Sequence, residues 1–141
     1  MAAVIFLSTA GFAASASIEW HSFKEGMAVV KKEKKKVFIH FWADWCPSCK
    51  KMEKETFKDS SVIAYLNKNF IAIKVNSDRE TALLSEFGVL GIPDNWFISE
   101  DNEAISNLPG YIPTKMFLPI LRFIQTDSYK RMTFGKFRKE M

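Results

Sequence analysis

Val37-Phe38-Ile39-His40-Phe41-Trp42-Ala43-Asp44-Trp45-Cys46-Pro47-Ser48-Cys49-Lys50-Lys51-Met52 is the stretch around which the rest of the chain is organised. It opens with an apolar run of the length and β-branched or aromatic character of a buried strand. The run ends at Asp44. A helix can begin where Pro47 takes a first-turn position, in which its missing N–H is no loss. Cys46 and Cys49, three residues apart, then fall on one side of the first turn. Amide dipoles at a helix N-terminus favour a thiolate, the attacking species in disulfide exchange. A strand that delivers Cys-x-x-Cys to a helix start is therefore an arrangement for thiol–disulfide chemistry.

The composition sets the frame for that reading. The chain has 141 residues, enough for one domain with its own core, and its 48% hydrophobic and 26% charged residues are ordinary for a globular protein. Thirteen Phe and four Trp predict an aromatic-rich core. The net charge of +4 comes from lysines suited to solvated faces, so no nucleic-acid partner is expected. Met1 to Ala16 carry no charge, Ala2 to Phe12 are mostly apolar, and Ala14-Ser15-Ala16 has the small-residue pattern of a signal-peptidase site. A basic n-region is missing. As a membrane anchor, the alternative, the stretch is too short to span a bilayer comfortably. The expected organisation is a signal peptide over 1–16, one domain over 17–125 and a basic C-terminal tail over 126–141. The mature chain is expected to be exported to the periplasm or an equivalent compartment, with no stable membrane span.

Along the chain, Ser22 and Glu25 form a capping box for a helix over about 22–35 that presents Phe23, Met27 and Val30. His21 reads as a residue leading into that helix. Lys31, Lys32, Lys34, Lys35 and Lys36 read as its solvated end. Asp59-Ser60-Ser61 caps a helix burying Val62, Ile63 and Leu66, and Phe70 to Val75 is a second buried strand. Asn76-Ser77-Asp78 turns into a helix with Leu83, Leu84 and Phe87, stopped by Gly88. Trp96–Ser99 and Ala104–Leu108 form a hairpin. A last amphipathic helix uses Phe117, Leu121 and Ile124, with Pro119 either kinking it or marking its start. Beyond Gln125, Lys130, Arg131, Lys136, Arg138 and Lys139 lie among Tyr129, Phe134 and Phe137 and read as a frayed terminus. The fold class is α/β, a mixed sheet with helices on both faces.

In Trp42-Ala43-Asp44-Trp45-Cys46-Pro47-Ser48-Cys49-Lys50 the chain resembles the thioredoxin superfamily, and within it the exported bacterial thiol–disulfide interchange proteins. The resemblance runs from about Lys34 to Ile124 and includes Met52-Glu53-Lys54-Glu55-Thr56-Phe57 and Val89-Leu90-Gly91-Ile92-Pro93. It implies the thioredoxin fold and a redox role. Cys46 would be the nucleophile and the more exposed cysteine; Cys49 would resolve the mixed disulfide. Pro93 matches the family's cis-proline beside the sulfurs. Ile92 would offer backbone hydrogen bonds to an extended substrate, a form of strand addition. Trp45 and Pro47 would form the apolar rim.

Two departures stand out. His40 lies where the family usually carries a buried acid that relays a proton to the resolving cysteine; a histidine can accept a proton too. A core histidine hydrogen-bonded to its surroundings is the plainer reading. Asp94 follows Pro93 where threonine is common, and is expected to bring a negative charge near the thiols, raising the Cys46 pKa. Disulfide-containing proteins and a redox partner protein are the expected partners of a monomer without cofactor. Two Cys and two His could supply four zinc ligands, yet His40 is expected inside a strand and His21 across a helix, with no paired spacing between them, so no metal is expected. The competing function is a redox-inert binding or adaptor module on the same fold. Against it stand both cysteines and an intact rim.

Overall fold

The apolar run that opens the quoted stretch is the middle strand of a five-stranded sheet. A computed structural model describes residues 17–141; the expected signal segment, 1–16, lies outside the described residues. The strands are β1 (Trp20–His21), β2 (Lys36–Trp42), β3 (Phe70–Asn76), β4 (Asp94–Ile98) and β5 (Ala104–Pro109). Their order is β1-β3-β2-β4-β5. β1, β3 and β2 run parallel, whereas β4 and β5 are antiparallel to their neighbours. The helices are α1 (Phe23–Glu33), α2 (Pro47–Lys54), α3 (Ser60–Asn69), α4 (Thr81–Phe87), α5 (Thr114–Gln125) and α6 (Phe134–Glu140).

β2 is buried on both faces, which is why its sequence reads as a continuous apolar run rather than an alternation. Phe38 points into a core with Met52, Phe57, Val62, Leu66, Phe97, Phe117 and Leu121, beneath α2, α3 and α5. Its ring lies 5.4 Å from that of Phe97 and 5.2 Å from that of Phe117. Val37, Ile39 and Phe41 point the other way, into a core with Ile73, Val75 and Ile98 that α1 and α4 cover. Each such fully buried side chain is worth about 1.5–3 kcal/mol. The two cores together hold β2, and with it the turn to Cys46, in place.

Local signals account for the element ends. Ser22 Oγ accepts the Glu25 amide at 3.2 Å. Asp59 Oδ1 accepts the amides of Ser61 and Val62, each at 3.0 Å. Gly88, at φ 63°, ends α4 in the left-handed region. Pro119 lies inside α5, which begins at Thr114, so it does not mark that helix's start.

Two expectations change, and a third gains a partner. His21 leads into α1, directly before its N-cap Ser22, and also belongs to β1, paired with Ile73. Two residues are too few to show a period, and only β3 makes them a strand. Lys36 is not on a solvated helix end. It begins β2 with its side chain 6% exposed, and its Nζ lies 3.0 Å from carboxylate oxygens of both Glu100 and Asp127. The terminus beyond Gln125 is not frayed. Phe123 of α5 meets Phe134 and Phe137 of α6 at ring separations of 5.4 and 5.3 Å. Its basic residues read as a solvated tail, but the aromatics between them make this contact once α6 forms.

At Gly26, α1 lies so close to the sheet that an added Cβ would clash with Cγ1 and Cδ1 of the buried Ile73. Overpacking of this kind costs about 1–3 kcal/mol, which at least offsets the roughly 1 kcal/mol gained by replacing glycine within a helix. Gly135 of α6 has nothing within 4 Å of its would-be Cβ. Gly26→Ala is therefore expected to lower the urea midpoint, and Gly135→Ala to leave it unchanged or raise it. Equal midpoints for the two variants would contradict the packing of α1 on β3.

Candidate active site

The chain leaves β2 at Trp42, and the Cys46 amide donates back to the Ala43 carbonyl at 3.2 Å. Cys46 is the N-cap of α2 and Pro47 its first helical residue. The Cys49 amide donates to Cys46 Sγ at 3.2 Å. The sulfur thus occupies the place where a capping oxygen usually satisfies a free helix N–H. The same donor, with the helix dipole, stabilises negative charge on that sulfur once the thiol is free. Cys46 and Cys49 form a disulfide, with Cα atoms 5.3 Å apart.

Both cysteines are buried in this state, Cys46 2% and Cys49 1% exposed, so exposure does not tell them apart. As the N-cap, Cys46 turns its sulfur back over the helix end. What distinguishes the two sulfurs is the amide that Cys46 Sγ accepts.

Trp45 is 65% exposed, and its indole N–H donates to the Asp78 carboxylate at 3.1 and 3.2 Å. With Leu84, Val89, fully exposed Leu90 and Ile92 it lines a cleft of about 180 Å³. Pro47 is exposed at the helix start. The Ile92–Pro93 peptide is cis, and the Pro93 carbonyl accepts the Gly110 amide at 2.7 Å. Trp45 and Ile92 are thereby brought to one cleft from loops far apart in the chain.

Asp94 departs from the expectation. Side chains alternate along β4: Asn95 and Phe97 face the α2 side, whereas Trp96 and Ile98 join the core under α1 and α4. Asp94 shares the Trp96 face, opposite to that on which α2 packs. It is buried there, and its carboxylate accepts the Asn107 amide at 3.1 and 3.2 Å. This arrangement gives Asp94 no orientation toward the thiols. The polar residue that β4 turns toward the α2 side is Asn95.

His40 is wholly buried on that side, directly opposite Asn95 on β4 and Lys74 on β3. Its Nδ1 lies 2.8 Å from Asn95 Oδ1, and its ring meets Phe57 edge-on at 4.8 Å. Burial pushes the imidazole pKa down to about 4, with the Asn95 hydrogen bond opposing, Lys74 adding to the fall and Glu53 opposing it. Lys74 is ion-paired to Glu53, one turn past Cys49 on α2, and its Nζ lies 4.5 Å from the Trp42 ring centroid. Asn95, Lys74, Glu53 and Asp78 are the site-flanking residues the sequence reading missed. The missing signal is strand register, which alone sets Asn95 and Lys74 on either side of His40.

A cystine capping the helix that follows the central strand, on a five-stranded mixed sheet, defines a thioredoxin-fold domain with the reactive pair of thiol–disulfide oxidoreductases. Residues 23–125 match the family described as thioredoxin-like domain, and the chain belongs to that family. It is 37% identical over 101 residues to the thiol:disulfide interchange protein DsbD of Vibrio vulnificus, covering 67% of this chain and 17% of that protein. The DsbD of Haemophilus ducreyi is also 37% identical, over 89 residues, 60% of this chain and 16% of that one. The chain thus spans about a sixth of the length of the curated relatives it matches. Among solved structures, the oxidised C-terminal domain of Neisseria meningitidis DsbD superimposes with a TM-score of 0.62 at 27% identity, covering 72% of this chain and 90% of that one. A thioredoxin from Thermus thermophilus gives a TM-score of 0.68 at 26% identity, with 75% and 85% covered.

The depressed His40 pKa has a consequence for stability. The unfolded histidine titrates at 6.5 and the folded one at about 4, so protons bind the unfolded chain preferentially in that window. Stability present in full above pH 6.5 is lost as the pH falls toward 4, by about 3 kcal/mol. Urea unfolding at pH 7 and pH 4.5 is expected to show a shallower loss in His40→Leu than in the wild type, whatever the variant's own baseline. Parallel losses would mean that His40 is not buried neutral.

Proposed function

We propose that this protein is an exported thiol–disulfide oxidoreductase, acting as a reductase or electron relay through Cys46 and Cys49. The observation that carries the reading is the Cys49 amide donating to Cys46 Sγ at the start of α2, which favours Cys46 as the thiolate. The likeness to proteins named for thiol:disulfide interchange supports the chemistry. The uncharged apolar stretch before Ser17 supports export.

In the reducing direction, Cys46 Sγ⁻ attacks one sulfur of a substrate disulfide, and the other sulfur leaves as a thiolate. Cys49 Sγ then loses its proton and attacks Cys46 Sγ. The Cys46–Cys49 bond forms, the second substrate thiolate departs, and two electrons have passed to the substrate. A redox partner protein restores the dithiol. Trp45, Pro47 and Ile92, with Pro93 at its base, form the surface for the incoming chain.

His40 is the acceptor for the Cys49 proton. An ordinary thiol near 8.5 and an imidazolium near 4 differ by about 4.5 pKa units, or roughly 6 kcal/mol. A free thiolate–imidazolium pair is therefore a poor intermediate. The proton moves as the Cys49–Cys46 bond forms, when thiolate charge is being passed to the leaving sulfur.

Reduced protein is expected to cleave insulin disulfides, with Cys46→Ser reducing the rate to background. Cys49→Ser should accumulate mixed disulfides on Cys46 and turn over poorly. First alkylation at Cys49 instead of Cys46 would reverse the two roles. A Cys46–Cys49 bond that resists reduction across the physiological range would support the adaptor reading.

A further inference from the structure

The Asn95 side chain has a fixed orientation. Its Nδ2 donates to the Leu108 carbonyl at 2.9 Å and to the Gly110 carbonyl at 3.1 Å. Carbonyl oxygens only accept, so turning the amide over would set Oδ1 against both of them. Both amide hydrogens are thus committed to the β5 side, and Oδ1 is left facing His40 Nδ1 at 2.8 Å. An amide oxygen cannot donate; Nδ1 must therefore carry the hydrogen. A neutral imidazole has one N–H, so Nε2 holds a lone pair. That nitrogen is buried and has no hydrogen-bond partner among the described residues.

We propose that Asn95 is a positioning residue for disulfide exchange, fixing neutral His40 as the Nδ1–H tautomer so that the Nε2 lone pair is kept for the Cys49 proton. The proposal rests on His40 being the proton acceptor and adds what makes it competent. A histidine free to choose its tautomer would spend part of its time with hydrogen on Nε2 and nothing to accept with. Asn95 also suits both protonation states. When Cys49 Sγ passes its proton to Nε2, the imidazolium donates from both nitrogens, and Oδ1 goes on accepting from Nδ1 without moving. As the Cys46–Cys49 bond closes, the imidazolium gives up its Nε2 proton, to the departing substrate thiolate or to water, and neutral His40 returns.

The surroundings leave this choice to Asn95. Lys74 from β3 and Glu53 from α2 face the ring as a mutually paired cation and anion. Trp20 of β1, Phe38 of β2 and Phe57 after α2 contribute rings that are neither charged nor titratable. β4 contributes Asn95 alone.

The tautomer can be read on the unmodified protein. The chain has two histidines, so long-range ¹H–¹⁵N spectra of the imidazoles, assigned with His21→Gln, report His40 directly. At pH 7 Nδ1 is expected to give a protonated-type and Nε2 an unprotonated-type shift. The reverse pattern would overturn the proposal without any variant. Stopped-flow kinetics of mixed-disulfide formation and release then test the consequence. Asn95→Leu, which offers no acceptor, should slow release about tenfold or more, within the range of general acid–base effects, and leave formation within about twofold. Its His40 spectrum should show hydrogen on Nε2. If His40→Ala leaves release unchanged, the proton-acceptor reading fails, and Asn95 with it. If His40→Ala slows release while Asn95→Leu neither slows it nor shifts the tautomer, the acceptor stands and Asn95 is not what positions it.

Discussion

A strand covered on both faces must place any polar side chain it carries against a partner, because no water reaches it. β2 is such a strand, and His40 is the polar side chain at its centre. The hydrogen bond to Asn95 satisfies one ring nitrogen, and in doing so ties β2 to β4 next to the loop that carries Ile92 and Pro93. The same strand ends in the turn that sets Cys46 on the helix terminus. The cystine, the imidazole and the cis-peptide loop therefore share one rigid support.

Electrostatics at this end is arranged by strand parity. Of two successive polar residues after Pro93, Asp94 faces one side of the sheet and Asn95 the other. The charged one is held by Asn107 away from the α2 side, and the neutral one meets His40. The opposite parity would have set a carboxylate against a buried imidazole and drawn its pKa upward. As folded, the imidazole is neutral at ordinary pH, and the formal charges nearest it belong to the paired Lys74 and Glu53.

The far end of the sheet is closed by a second polar device. Lys36 starts β2 almost wholly covered, between Glu100 of the β4–β5 turn and Asp127 beyond α5. A covered ammonium is costly unless paired, so this lysine helps to fix where the chain after α5 runs. Phe134 and Phe137 then pack on Phe123, and residues that read as a solvated basic tail become part of the fold.

Features carried by neighbouring residues were legible in the sequence alone: the buried run of β2, Cys46 and Cys49 at a helix start, the caps at Ser22 and Asp59, and the stop at Gly88. Each depends on groups within about one helical turn or one strand. The fold class followed from their order, and the thioredoxin resemblance from the motif and the Gly91-Ile92-Pro93 segment. Tertiary structure decided the rest. β1 is a strand only because β3 pairs with it, and Cys46 is covered because its sulfur caps α2. His40 and Asn95 are 55 residues apart and meet only through the register of β2 and β4. That register is a property of two packed strands and appears in neither one's own residues, which is why a sequence that announced its cysteines kept silent about the asparagine that meets the buried histidine.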